Sequence, residues 1–398
     1  MSMTMLQRSA SPTDRSLLSL MASVFAVFLV TGAVLPALPL HIHEGLGFGP
    51  FMVGLATGAQ FAASLLSRLW SGSVSDRHGP KRAVSAGLIM AALAGLLYIL
   101  SLLAVRTPAL SVAILLVGRA LLGGAESFIM TGAQSWCLTL AGPGNAGKMI
   151  AWIGTAMFVA LAIGSPLGSF LYAHWGFAAI GLATFAGAVV TLALVMPIPS
   201  VKPVPQGDKP VAKVLKAVWL PGTGMAFAGL AYGVMTAFSV LLFVQRGWEP
   251  AWLPFTAFAI ALMVARVFFG ALPDRLGGAR AAMIFVVIQS AGIGLIWVAP
   301  VAWVGFAGAA IAGFGYALVY PGFGMEAVGH APAASSGLAM GVYTAFFDLS
   351  LGVLSPMLGL VANTTGIGTI FLITALLGLC SVPIAARLLL SSPQPTYR

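Results

Sequence analysis

Three ionisable side chains, Arg119, Glu126 and Asp348, stand well inside long apolar stretches of a 398-residue chain in which 7% of residues are Asp, Glu, Lys or Arg. An unpaired charge in such surroundings is costly, so each is expected to face a partner, a cavity or a solute. Arg119 and Glu126 lie seven residues apart, which puts them on one helical face about 10 Å apart along the axis. They are expected to pair or to act in series, in proton coupling or solute binding. Asp348, flanked by Phe346, Phe347 and Leu349, is suited to taking up and releasing a proton. The alternative is a helix-packing aspartate bonded to a neighbouring helix, with Arg266 as a partner.

Tyr316 and Tyr320 are one helical turn apart, and Tyr232 with Thr236 repeats that spacing. Such hydroxyls suit a hydroxylated solute, although aromatic residues in apolar helices more often serve packing. Gln60 and Gln134 belong to the same class of candidates. His41, His43 and Glu44 form a short HIHE cluster, which is an incomplete metal site within one loop. Cys137 and Cys380 are two cysteines in apolar surroundings, too few for a four-ligand zinc site, and read as packing residues. No metal or cofactor is expected.

The elements that position these residues follow from composition. Hydrophobic residues make up 60% of the chain and the mean hydropathy is +1.02, which excludes a water-soluble fold. The net charge of +10 is scattered between apolar runs rather than gathered on one face, which argues against nucleic-acid binding. A helix needs about 20 apolar residues to cross the hydrocarbon core. Twelve runs qualify: 17–40, 51–74, 83–105, 108–132, 148–172, 176–197, 218–244, 250–272, 281–299, 302–325, 334–361 and 367–390. The expected fold is therefore an all-α membrane protein. The first run follows Arg8 and Arg15 but is too long for a signal-peptide core, and reads as a retained helix.

Lys and Arg in short loops mark the cytoplasmic side. With the N-terminus inside, 14 of the 19 basic residues fall there; Arg106 and Arg246 fall outside, and Arg68, Arg119 and Arg266 lie within spans. Both termini are expected in the cytoplasm. A segment rich in Pro and Lys, 198–217, separates six spans from six. It divides the chain into an N-terminal tail (1–16), a first lobe (17–197), this linker, a second lobe (218–390) and a C-terminal tail (391–398).

The halves repeat. At an offset of 198, Arg68, Gly72, Asp76, Arg77, Gly79 and Arg82 match Arg266, Gly270, Asp274, Arg275, Gly277 and Arg280. At an offset of 190, Gly147, Ser165 and Pro166 match Gly337, Ser355 and Pro356. Parallel six-helix repeats suggest a two-lobed transporter.

The segment GSVSDRHGPKR, Gly72 to Arg82, resembles the loop motif of the major facilitator superfamily, and GALPDRLGGAR resembles its degenerate second copy. Arg119 with Gly123 and Gly124 resembles the family's second motif, and GSPLGS, Gly164 to Ser169, its Gly-Pro-rich exporter motif, with Ser165 in place of a glycine. The stretch YTAFFDLSLGVLSPMLGLV around Asp348 is similar to the YhhS/YfcJ-type group of bacterial inner-membrane facilitators, described as sugar- or arabinose-efflux-like. The resemblance implies a monomer of twelve helices in two pseudo-symmetric lobes. It also implies that Gly72, Asp76, Arg77, Gly79, Lys81, Arg82, Asp274 and Arg275 form a cytoplasmic conformational latch. Arg68 is expected to reach the interface or to pair within the bundle.

The resulting expectation is alternating-access transport of a small sugar or drug-like solute, coupled to protons and directed outward. Proton-coupled uptake and facilitated diffusion stay open as alternatives, and a membrane sensor is a remote one. Enzymatic activity is not expected, because no nucleophile–base pair, ligand set or nucleotide loop is present. Drug/proton antiporters often carry an acid in the first span, and here that span has none.

Overall fold

The computed structural model describes residues 12–141, 146–201, 211–332 and 335–391. Residues 202–210 of the linker and the outermost parts of both tails lie outside these residues. The described chain is helical throughout: α1 (Pro12–Leu40), α2 (Pro50–His78), α3 (Pro80–Leu103), α4 (Pro108–Ala141), α5 (Ala146–Val195), α6 (Val211–Gln245), α7 (Leu253–Phe269), α8 (Leu272–Leu276), α9 (Gly278–Val298), α10 (Ala302–His330), α11 (Ser336–Thr365), α12 (Ile367–Leu379) and α13 (Ser381–Ser391).

Several starts are written in the sequence. Proline opens α2, α3 and α4 and sits in the first turn of α7. Its missing N–H costs nothing there, because the first turn has no acceptor for it. Gly79 and Gly277 precede α3 and α9 with φ of 92° and 88°, a reversal that a side chain would oppose. These are the matched glycines of the loop motif, so the repeat is also a repeat of backbone conformation.

Twelve crossings result, with two departures from the expected outline. The fifth and sixth runs are separated as expected: α5 is two helices that meet end to end at Gly176, where φ is 68° and ψ is −167°. The eighth crossing is the shorter apolar helix Leu253–Phe269. The twelfth is divided between α12 and α13. The first loop motif runs from the last turns of α2 through Gly79 into the first turn of α3, whereas in the second copy the part before Gly277 forms the separate short helix α8.

Within the first half α1 packs on α5, and α3 on α4 and α5; within the second, α10 packs on α9, α7 and α6. The halves meet where α2 lies along α11 and α5 crosses α7. The α2–α11 seam is tight at the end away from the loop motifs: a Cβ at Gly54 would stand 2.3 Å from the Ser355 carbonyl oxygen, and one at Gly359 2.5 Å from that of Pro50. Toward the motif end, Gly72 and Gly341 have nothing within 4 Å of the same position. The seam is closed at one end only.

Candidate functional site

Arg119 is 1% exposed, placed on α4 where that helix presses on α2. The contact depends on Gly123, whose Cβ would fall 1.9 Å from the backbone oxygen of Gln60. The close approach brings Gln60 between the two charges on α4. An Arg119 Nη2–H donates to Gln60 Oε1 in a very short hydrogen bond. Gln60 Nε2 donates to both carboxylate oxygens of Glu126, each at 2.8 Å, and Thr31 Oγ1 donates to one of them at 3.0 Å. The amide orientation follows from chemistry, since a guanidinium only donates and an ionised carboxylate only accepts. Arg119 and Glu126 are therefore linked through Gln60, a residue 66 positions from Glu126 in sequence.

Glu126 is half-buried, while Gln60 and Thr31 are 3% and 4% exposed. The donors around its carboxylate are uncharged. The buried hydroxyl of Tyr98 lies beside the Arg119 guanidinium.

Asp348 is placed differently. Its Oδ2 accepts from Arg68 Nε at 2.6 Å and from Ser64 Oγ at 3.3 Å, and stands 2.5 Å from Arg68 Nη2 in an ion pair. The pair spans the α2–α11 seam, with side chains 27% and 3% exposed. Arg68 thus pairs within the bundle, and Arg266 is not the partner of Asp348. Arg266 sits on α7, which faces α5; its Nε donates to the Ala317 carbonyl at 3.3 Å, and its guanidinium lies 4.6 Å from the centre of the Phe158 ring.

An aromatic group connects the halves beside these charges. Phe61 of α2 meets Tyr232 at 6.4 Å and Phe347 at 6.0 Å, and Tyr232 stacks on Tyr316 at 5.8 Å. Phe61, Tyr232 and Phe347 are half-buried, so part of each residue is exposed. The Tyr320 hydroxyl is engaged with Thr344 Oγ1 at 2.9 Å, and Thr236 bonds back to the Tyr232 carbonyl at 3.0 Å. The structure therefore brings Tyr232 and Tyr316 together, with Glu126 near Tyr232, and turns Thr236 inward on its own helix.

Other candidates lie apart. His41 is buried and stacked on Phe177 at 4.2 Å, while His43 and Glu44 line a cleft of about 470 Å³ at the end away from the loop motifs. Gly168 of the exporter-like motif presses on α1, with its Cβ position 2.0 Å from the Ala33 oxygen. In the first loop motif, Lys81 Nζ donates to the carbonyls of Met196 and Ile198 at 2.5 and 2.9 Å, fixing the end of α5. Arg77, Arg82, Asp274 and Arg275 are exposed.

The family model of the Major Facilitator Superfamily matches residues 20–353. The chain belongs to that superfamily. An uncharacterized MFS-type transporter of Salmonella typhimurium is 38% identical over 377 residues, covering 95% of this chain and 97% of that one. The uncharacterized MFS-type transporter YhhS of Escherichia coli K12 is 37% identical over 352 residues, 88% and 87% of the two chains. Among solved structures, the partially occluded inward-open xylose transporter XylE of E. coli aligns with a TM-score of 0.78 at 12% identity over 96% of this chain and 99% of that one. The nucleoside transporter NupG aligns at 0.75 with 15% identity, over 94% and 99%. The chain is thus a membrane transporter of the MFS fold, a class without enzymatic chemistry.

Thr31, Ser64, Phe61 and Tyr98 carried no sequence signal that set them apart. Gln60 did, as a polar residue in an apolar span, but its bridging role depends on the α2–α4 crossing. That crossing is testable. Gly123→Ala is expected to lower the thermal midpoint of the purified protein by several degrees, because the new methyl meets backbone and forces overpacking worth about 1–3 kcal/mol. Gly124→Ala meets the flexible end of Met90 at 2.5 Å and should shift the midpoint much less.

Proposed function

We propose that the chain exports a small sugar or drug-like solute across the bacterial inner membrane in exchange for protons. Both termini and the loop-motif end face the cytoplasm in this reading, which gives the seam described above an inward-open form. The carrying observation is Glu126, a half-buried carboxylate with uncharged donors around it, near Tyr232 of the aromatic group that also holds Phe61 and Phe347. A solute with a flat apolar face and a donor group would suit this pairing of aromatic rings and carboxylate.

Protonation changes the bonding pattern. A neutral carboxyl becomes a donor at one oxygen, so Gln60 Nε2 loses an acceptor and the bridge to Arg119 must rearrange. Solute and proton thus compete for one group: proton uptake from the periplasmic side releases solute, and proton release inward readmits it. Asp348 holds the lobes through Arg68 and makes their separation sensitive to the same proton gradient. The residues of the loop motifs, Gly72 to Arg82 with Asp274 and Arg275, close as a latch when the cavity turns outward. The lobes, 17–197 and 218–390, move as monomeric units joined by the linker.

A thermal-shift screen over sugars and amphipathic drugs would nominate a solute. Vesicles of known orientation loaded with it should then expel or accumulate it according to the imposed pH gradient. Transport that remains fully driven by that gradient in the Glu126→Gln/Asp348→Asn double variant would overturn the assignment.

A further inference from the structure

The two seams between the lobes are built from matched residues. The offset of 198 that pairs Arg68 with Arg266 also pairs Gly54 with Trp252, and the offset of 190 that pairs Ser165 with Ser355 also pairs Phe158 with Asp348. The structure joins these residues in corresponding pairs across the seams. Gly54 approaches the Ser355 backbone, and Ser165 Oγ reaches the Trp252 carbonyl at 3.5 Å. Arg68 reaches Asp348, and Arg266 reaches Phe158. Each repeated arginine therefore crosses to the same position of the opposite lobe and meets a carboxylate on one seam and a phenyl ring on the other.

We infer that Arg266 and Phe158 form a second inter-lobe clasp, equivalent in place to Arg68–Asp348 but unresponsive to protonation, so that proton-controlled parting of the lobes is confined to the α2–α11 seam. A carboxylate that takes a proton loses its charge and most of its attraction to a guanidinium. A phenyl face attracts the same cation through its quadrupole, which no proton alters, and the attraction is strongest when the pair is desolvated. Phe158 is 7% exposed, so its ring has lost most of its contact with solvent.

The surroundings support this division. Asp348 is faced by Arg68 and Ser64 from α2, by Tyr316 and Tyr320 from α10 and, farther off, by Glu126 from α4. Arg266 is faced by Phe158 from α5 and by Tyr316 and Tyr320 from α10, groups that stay neutral through the physiological range. Phe158 and Arg266 are positioning residues: they hold one seam while the other responds. The inference rests on the movement of two lobes and on the proton-sensitive Arg68–Asp348 contact of the proposed function, and does not depend on Glu126 as the proton-exchanging group.

Pulsed spin-label distances measured in nanodiscs test it without a known solute. Labels at Thr155→Cys and Phe268→Cys report on α5–α7, and labels at Trp70→Cys and Gly341→Cys on α2–α11; a Cys380→Ser background leaves Cys137, which is buried. Across an acid-to-alkaline titration, the α2–α11 distances should shift by several ångströms and the α5–α7 distances should stay fixed. Phe158→Leu should lengthen the α5–α7 distances equally at every pH, and Phe158→Tyr should restore them. Phe158→Asp should make that seam titrate as its counterpart does. Wild-type α5–α7 distances that titrate in parallel with α2–α11, or a Phe158→Leu variant with unchanged distances, would overturn the inference. The Leu and Tyr variants decide it even where the aspartate fails to fold. Unchanged α5–α7 behaviour together with loss of gradient-driven transport in Glu126→Gln supports both readings, whereas titrating α5–α7 distances remove this one alone.

Discussion

Replacing Glu126 with glutamine is expected to reduce gradient-driven transport to the level of protein-free vesicles while solute exchange between equal concentrations continues. The expectation follows from the bonds that the new side chain keeps. Glutamine retains one oxygen for Thr31 and Gln60, which donate to Glu126 at 2.8–3.0 Å. Its amide nitrogen then faces Gln60 Nε2, donor against donor, at a cost of about 1–3 kcal/mol if neither group finds another acceptor. The protein should therefore fold with a modest loss of thermal stability. What it cannot do is change protonation state, so proton and solute no longer exclude one another. Glu126→Asp keeps a titrating group one methylene short and should keep gradient-driven transport at a reduced rate. Full coupling in Glu126→Gln would move the proton site elsewhere.

The same comparison shows why some of this site was legible in sequence and some was not. Charge scarcity singled out Arg119, Glu126 and Asp348, because an ion inside an apolar helix needs a reason to be there. The offset of 198 matched Arg68 with Arg266, and the structure gives both the same place in their lobes. Their partners were another matter. Arg266 was a candidate for Asp348, yet α7 faces α5 and Arg68 occupies that carboxylate. Helical periodicity put Arg119 and Glu126 on one face, but the connection runs through Gln60 on α2, and no spacing along α4 encodes it. Hydropathy counted twelve crossings and separated the fifth from the sixth at 172–176, where a single glycine at φ 68° breaks the chain direction. Properties local to a helix can be read along the chain, whereas contacts between helices depend on how small residues let them cross.

The largest stability effect is expected at the seam. Arg68→Ala removes both guanidinium bonds from Asp348, which is 2% exposed and retains only Ser64 Oγ at 3.3 Å of the three contacts described. Leaving a buried charge without its partner typically costs about 3–5 kcal/mol, so the purified variant should lose a large part of its thermal stability. Asp348→Asn leaves a different remnant, because the Arg68 side chain is 27% exposed and can carry its head toward water. It should be the milder change. The double replacement Arg68→Ala/Asp348→Ala removes both charges, and its loss should be smaller than the sum of the single alanine replacements by at least about 1 kcal/mol. Thermal midpoints of the four proteins, measured in one detergent, would close this cycle. Additive losses would mean that the two charges do not support one another, and the seam would then owe its strength to the close packing of α2 on α11 alone.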